Sequence, residues 1–177
     1  MNGGVEYFYP MSLIKYLVYL IYVFFQKKKK SKWDRYLPMN ELFIDRAKKA
    51  KLIGFGKGTT IHDSSHVYGN VEIGENTWIG PFTILDGTGG LKIGSYCSIS
   101  TGVQIYSHNT VKYAISGGIK PYEYNSVVIE NNCFIGPNAV IESGVVIRKG
   151  TIVGANSFVN KTFPENSKIA GSPARPI

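Results

Sequence analysis

Three histidines and two cysteines are the side chains best suited to chemistry in this chain of 177 residues. Histidine titrates near neutrality, which suits proton transfer or metal binding. His62 and His66 lie close together in sequence. His108 instead opens a polar stretch, residues 106–126, that also holds Asn109, Gly117, Gly118, Pro121, Tyr122, Glu123 and Tyr124. A polar, glycine-rich excursion from a rigid scaffold is where function usually sits. Cys97 and Cys133 are too few for a disulfide framework. They read as small interior residues of a protein from a reducing compartment.

The elements that must position these residues are set by a repeat of six. Aliphatic side chains recur at Ile61, Val67, Ile73, Ile79 and Leu85, then at Ile93, Ile99 and Ile105. They resume at Ile129, Ile135, Ile141, Ile147, Val153 and Val159. One such sextet means nothing, but fourteen in phase identify a solenoid. The expected fold is mainly β: a left-handed parallel β-helix of hexapeptide repeats with an N-terminal helical segment. Each short strand points one aliphatic inward, and three strands make one coil. Coils then pair in parallel about 4.8 Å apart, with aliphatics stacked in columns. The columns predicted are Ile61, Ile79, Ile99, Ile135 and Val153; Val67, Leu85, Ile105, Ile141 and Val159; and Ile73, Ile93, Ile129 and Ile147. Glycine follows the aliphatic at Gly74, Gly80, Gly94, Gly136 and Gly154, where a turn needing positive φ is expected.

Two breaks interrupt the phase. Asp86–Gly90 adds two residues between Leu85 and Ile93, which predicts a small bulged turn. The larger break is the 106–126 stretch. If that loop replaces one corner, Cys97 and Cys133 become neighbours on adjacent coils.

The composition is 44% hydrophobic with abundant aromatics, which excludes a disordered chain. The net charge of +8 is unevenly placed. Met11 to Phe25 is nearly all apolar, with Ser12 a possible N-cap, and Lys27, Lys28, Lys29, Lys30 and Lys32 follow. Lys15, Tyr19, Tyr22 and Gln26 share one helical face. About 15 residues at 1.5 Å rise span roughly 22 Å, short of the ~30 Å hydrocarbon core. Positive charge after the apolar run argues against a cleaved signal peptide. The expectation is an amphipathic helix lying peripherally on the inner face of the cell membrane, with Lys27–Lys30 on anionic headgroups. Packing on the protein or between subunits is the alternative. Nucleic acid is not expected as a partner. Residues 1–38 thus read as helix and basic linker, and 39–58 as a short helix and connector. That helix runs from an Asn40 cap over roughly Glu41 to Lys51, with Leu42, Ile44 and Ala47 inside. Residues 59–177 form the β-helix.

The repeats, the loop histidine and the ending Ile169-Ala-Gly-Ser-Pro-Ala-Arg175 resemble the hexapeptide-repeat acetyltransferases. The similarity is to the group with maltose and galactoside acetyltransferases and the polysaccharide O-acetyltransferases. Its most specific pieces are Ile105-Tyr-Ser-His108, Val153-Gly-Ala-Asn156 and Gly171-Ser-Pro-Ala-Arg175. The resemblance implies a homotrimer with acetyl-CoA in a groove between subunits, and His108 as general base. Gly136, Gly154, Ala155, Lys161 and Arg175 match the cofactor-binding positions, the two cations facing phosphates. Asp86 and Glu123 are candidates to orient His108 or bind sugar hydroxyls, with Asn109 beside them. Thr83 stands where sugar-acetylating relatives tend to carry an acceptor-binding Asn. Pro137 departs from the family: it has no N–H to offer an oxyanion. The implied function is acetyl-CoA-dependent O-acetylation of a saccharide hydroxyl, in surface polysaccharide or glycan synthesis. N-acetylation of an amino sugar and a non-catalytic trimeric scaffold are the alternatives. A γ-type carbonic anhydrase on this fold needs three histidines on a metal. His62 and His66 have the wrong spacing for it and read as surface or acceptor-side residues, so no metal is expected.

Overall fold

The computed structural model describes residues 12–177; Met11, where the sequence pattern starts the first helix, lies outside them. The described residues divide into two compact units between Phe43 and Ile44. In the first, helix α1 runs from Leu13 to Trp33. The Ser12 side chain accepts from the Lys15 N–H, and Asp34 closes the helix in a left-handed conformation, donating to Lys30 O. The lysines are therefore on the helix, not after it. Gln26 is buried: its amide donates to Leu37 O at 2.6 Å and to Tyr22 Oη at 2.8 Å. Phe25 meets Phe43 of helix α2 (Met39–Phe43), ring to ring at 4.9 Å.

The single helix expected over Glu41–Lys51 is two. It breaks at Ile44–Asp45, where the Asp45 carboxylate caps helix α3 (Arg46–Leu52) through the N–H groups of Ala47 and Lys48. An aspartate that finds two orphan donors starts a helix more readily than it continues one. The inward residue becomes Ala50, and Ala47 is exposed. Ala50 and Phe55 join the core of the second unit.

That unit is the parallel β-helix. Ile61 pairs with Ile79, Ile79 with Ile99, Ile99 with Ile135, and Ile135 with Val153. Val67, Leu85, Ile105, Ile141 and Val159 form the second column, and Ile73, Ile93, Ile129 and Ile147 the third. All three columns stand as the spacing predicts, and Ile169 extends the first. Nearly every member is fully buried, each contributing about 1.5–3 kcal/mol.

A second inward column explains the cysteines. Thr59 Oγ1 donates to Gly74 O, Thr77 Oγ1 to Gly94 O, Cys97 Sγ to Glu130 O and Cys133 Sγ to Arg148 O. The thiols stand where threonine hydroxyls stand in earlier coils. The Cys97 thiol and then burial push Cys133 up, as suits a structural thiol.

The glycines after the aliphatics do not serve positive φ. The left-handed residue comes three positions after the aliphatic, at Asn76, Phe82, Tyr96, Gly102, Asn132, Asn138, Gly144, Gly150 and Asn156. The glycines instead let coil corners stack. A Cβ on Gly136 would lie 2.6 Å from Ala155 N and 2.7 Å from Gly154 C.

Candidate active site

Both phase breaks fall at one corner. The strand Ile84–Ile93 continues through Asp86–Gly90 rather than turning there. It pairs on one side with His66–Ile73, and the extra residues are absorbed as a bulge opposite Gly69–Val71. On its other side Leu85 pairs with Ile105, and Leu91 with Val127. The 106–126 loop therefore leaves and rejoins the coil directly against Asp86–Gly90. Its base is closed by His108–Asn109 pairing antiparallel with Glu123–Tyr124, and by Asn125 N–H on Ser107 O at 2.9 Å. Helix α4 (Val111–Ile115) lies within it.

This geometry brings Asp86 to His108. Asp86 Oδ2 is 2.5 Å from His108 Nδ1, with the carboxylate side chain 3% exposed and the imidazole 33% exposed. Asp86 also accepts from Ser107 N–H at 3.0 Å, Thr88 N–H at 3.0 Å and Thr88 Oγ1 at 2.7 Å. Burial alone would raise its pKa. The hydrogen bonds from Thr88, His108 and Ser107 outweigh that and hold the carboxyl at about 2. A buried anion on Nδ1 fixes the ring and turns Nε2 toward an incoming group. Thr88, absent from the sequence reading, is 3.2 Å from His108 Nδ1 through the same hydroxyl that anchors Asp86. Its type and position gave no signal, because the bulge that carries it is a product of the register. Tyr106 and Tyr124 flank the imidazole, each ring 6.4 Å away.

The other candidates lie elsewhere or do other work. Glu123 pairs with Lys112 at 2.6 Å, and Asn109 Oδ1 accepts from Val111 N–H at 2.8 Å. Both are at the loop base, within one strand pair of His108. Thr83 corrects the expectation of an acceptor contact: it occupies the inward position two before Leu85 and is fully buried. His62 is likewise not on the surface; it is buried with its ring edge-on to Trp78 at 6.0 Å. His66 is exposed and stacks with Tyr68. No cluster of potential metal ligands occurs among the described residues.

Of the cofactor-binding candidates, Gly136, Gly154, Ala155 and Arg175 share one corner of the last coils, whereas Lys161 follows Val159 of the second column. Gly136 stacks on Gly154 and Ala155, Gly154 on Ala170, and Ala170 pairs with Arg175. Ala155, Lys161 and Arg175 are exposed, and Lys161 Nζ stands 5.3 Å over the Phe163 ring.

Residues 126–161 match the bacterial transferase hexapeptide (six repeats) family. These residues hold four of the stacked strands of the last coils, Val127–Ile129, Phe134–Ile135, Val140–Ile141 and Val146–Ile147, with the two that follow. Over 63 residues this repeat protein is 41% identical to 2,3,4,5-tetrahydropyridine-2,6-dicarboxylate N-acetyltransferase of Staphylococcus aureus. The match takes 36% of this chain and 26% of that enzyme, so the chain spans about a quarter of the length of the curated relatives it matches. Among solved structures it is similar to a hexapeptide-repeat-containing acetyltransferase of Vibrio cholerae O1 biovar eltor complexed with acetyl-CoA. That likeness has a TM-score of 0.66 and 25% identity over 97% of this chain and 92% of that one. It is also similar to AntD, an N-acyltransferase from Bacillus cereus in complex with dTDP and 3-hydroxybutyryl-CoA. There the TM-score is 0.62 and the identity 25%, over 78% of this chain and 89% of that one.

Proposed function

We propose that this hexapeptide-repeat protein is an acetyl-CoA-dependent O-acetyltransferase acting on a saccharide hydroxyl, in surface polysaccharide or glycan synthesis. The observation that carries the reading is the 2.5 Å contact between buried Asp86 and His108 at the loop base. His108 Nε2 takes the acceptor's proton while its oxygen attacks the thioester carbon. The C–S bond then breaks, and the imidazolium returns its proton to the CoA sulfur. Asp86 stabilises that imidazolium without itself becoming protonated, as its low pKa requires. Gly136, Gly154 and Ala155 line the donor's path, and Lys161 and Arg175 meet its phosphates. The protein acts as a homotrimer on the inner face of the cell membrane.

N-acetylation of an amino sugar is the second reading, favoured by the N-acyltransferase activity in the names of two relatives. The test has two parts. Thermal unfolding with acetyl-CoA at about 100 times its dissociation constant should show about 2.7 kcal/mol of added stability. That gain survives His108→Ala and shrinks in Arg175→Ala. Acceptor pairs differing only in hydroxyl or amine at one carbon are then incubated with acetyl-CoA and weighed by mass spectrometry. Transfer to the amine alone overturns O-acetylation. No stabilisation at millimolar acetyl-CoA moves the reading to a non-catalytic scaffold.

A further inference from the structure

On helix α1 only the far end of the polar stripe is covered: Gln26 is buried on Leu37 and Tyr22, while Lys15 and Tyr19 are exposed. The opposite stripe, Leu13, Leu17, Leu20 and Phe24, is 73, 50, 43 and 62% exposed. Ile14, Tyr16, Val18 and Ile21 widen it and are exposed too. Contiguous apolar surface of this kind marks an interaction site. No described helix is long and apolar enough to cross a membrane. One turn beyond Phe24 the sequence becomes Lys27-Lys-Lys-Lys-Ser-Lys-Trp-Asp-Arg35, six basic residues with one acidic. At the junction Tyr22, Val23, Lys27, Lys30 and Tyr36 wall a cavity of about 320 Å³. Rings and ammonium groups together are what sits at headgroup depth in a bilayer.

We infer that α1 is an in-plane docking helix for an anionic lipid bilayer. The stripe Leu13, Leu17, Leu20 and Phe24 enters the acyl boundary, and Lys27–Lys30 lie on the headgroups. Two observations favour lipid over a second copy of the chain. The positions flanking the stripe are Ile14, Tyr16, Ile21 and Val23, whereas a helix-to-helix seam is narrow and flanked by charges. Packing copies side by side would also bring the lysine runs together, and anionic lipid instead neutralises them. Only Asp34, paired with Lys30, offsets the run on its own helix end.

The test is co-sedimentation of the full chain with vesicles, and its readout does not depend on acyl transfer. The chain pellets with mixed phosphatidylcholine–phosphatidylglycerol vesicles and weakly with phosphatidylcholine alone. Binding falls as salt rises from about 0.1 M to 1 M, where screening shortens from about 10 Å to 3 Å. The triple variant Lys27→Gln, Lys28→Gln, Lys29→Gln, the first two exposed and the third half-buried, loses on the order of 100-fold in affinity. Leu17→Glu with Leu20→Glu loses at least about tenfold. Wild-type chain that ignores both vesicle types overturns the inference. So does a Leu17→Glu, Leu20→Glu variant that keeps vesicle binding but dissociates an oligomer in sedimentation equilibrium, which makes the stripe a subunit seam.

Discussion

Asp86→Asn separates the carboxylate's charge from its shape. In the native chain Asp86 receives donors on both oxygens: Thr88 N–H and Oγ1 on one, Ser107 N–H and the His108 ring on the other. An asparagine has one accepting oxygen and one donating nitrogen. Whichever way it is set, its NH2 meets a backbone N–H, from Thr88 or from Ser107. Mismatching a buried, charge-assisted hydrogen bond costs about 1.5–3 kcal/mol. The acid–base equilibrium gives an independent figure. A carboxyl held at about 2, against the usual 3.8, contributes about 2 kcal/mol at neutral pH. In a chain of this size the melting temperature should fall by roughly 4–8 °C. Transfer should fall further, by about 10²- to 10⁴-fold, because Nδ1 loses the anion that sets the tautomer and stabilises the imidazolium. Calorimetry reads the first effect, and release of the CoA thiol in the presence of acceptor reads the second. A variant that melts early yet transfers within threefold of wild type would refute the role given to Asp86. One that loses acetyl-CoA stabilisation as well has a wider distortion.

The same carboxylate sets an acid limit. Its folded pKa lies below the unfolded one, so its stabilisation is complete above about pH 4 and lost as pH falls through about 2. Urea unfolding from pH 5 to 2 should show the wild-type advantage over Asp86→Asn shrinking; a constant gap contradicts the assignment. Gly136→Ala forces a methyl onto the Ala155 and Gly154 backbone, which should cost about 1–3 kcal/mol in denaturant midpoints. Ile135→Ala hollows the first column between Ile99 and Val153 and should cost about 2–5 kcal/mol. Lys112→Ala removes an exposed pair with Glu123 and should move stability by less than about 1 kcal/mol.

The columns were legible because a buried aliphatic every sixth residue has no other arrangement that keeps all of them dry. The paired breaks were legible as breaks, and Asp86 and Glu123 as equal candidates beside His108; the register brings Asp86 to the ring, and Glu123 pairs with Lys112. What the sequence could not show is that Leu85 pairing with Ile105 sets the two breaks against one another. Thr88 followed from that register alone. Thr83 was misplaced because a small β-branched residue fits both an inward corner and an acceptor wall. The glycines were misassigned since freedom in φ and absence of a Cβ are the same residue, and only the coil contacts separate them. The break at Asp45 escaped because Ile44 and Ala47, three apart, keep helical spacing across it.

The loop at 106–126 enters and leaves the coil between Ser107 and Asn125, one hydrogen bond apart. The columns above and below continue through Ile105 and Ile129 without it. Such a segment is a cassette: its length and contents can change while its two anchor points stay fixed. Its contents include His108, whereas Asp86 stays on the coil. A loop exchanged at these points must therefore carry a histidine that returns to Asp86, or the pair is lost while the coil itself stays folded.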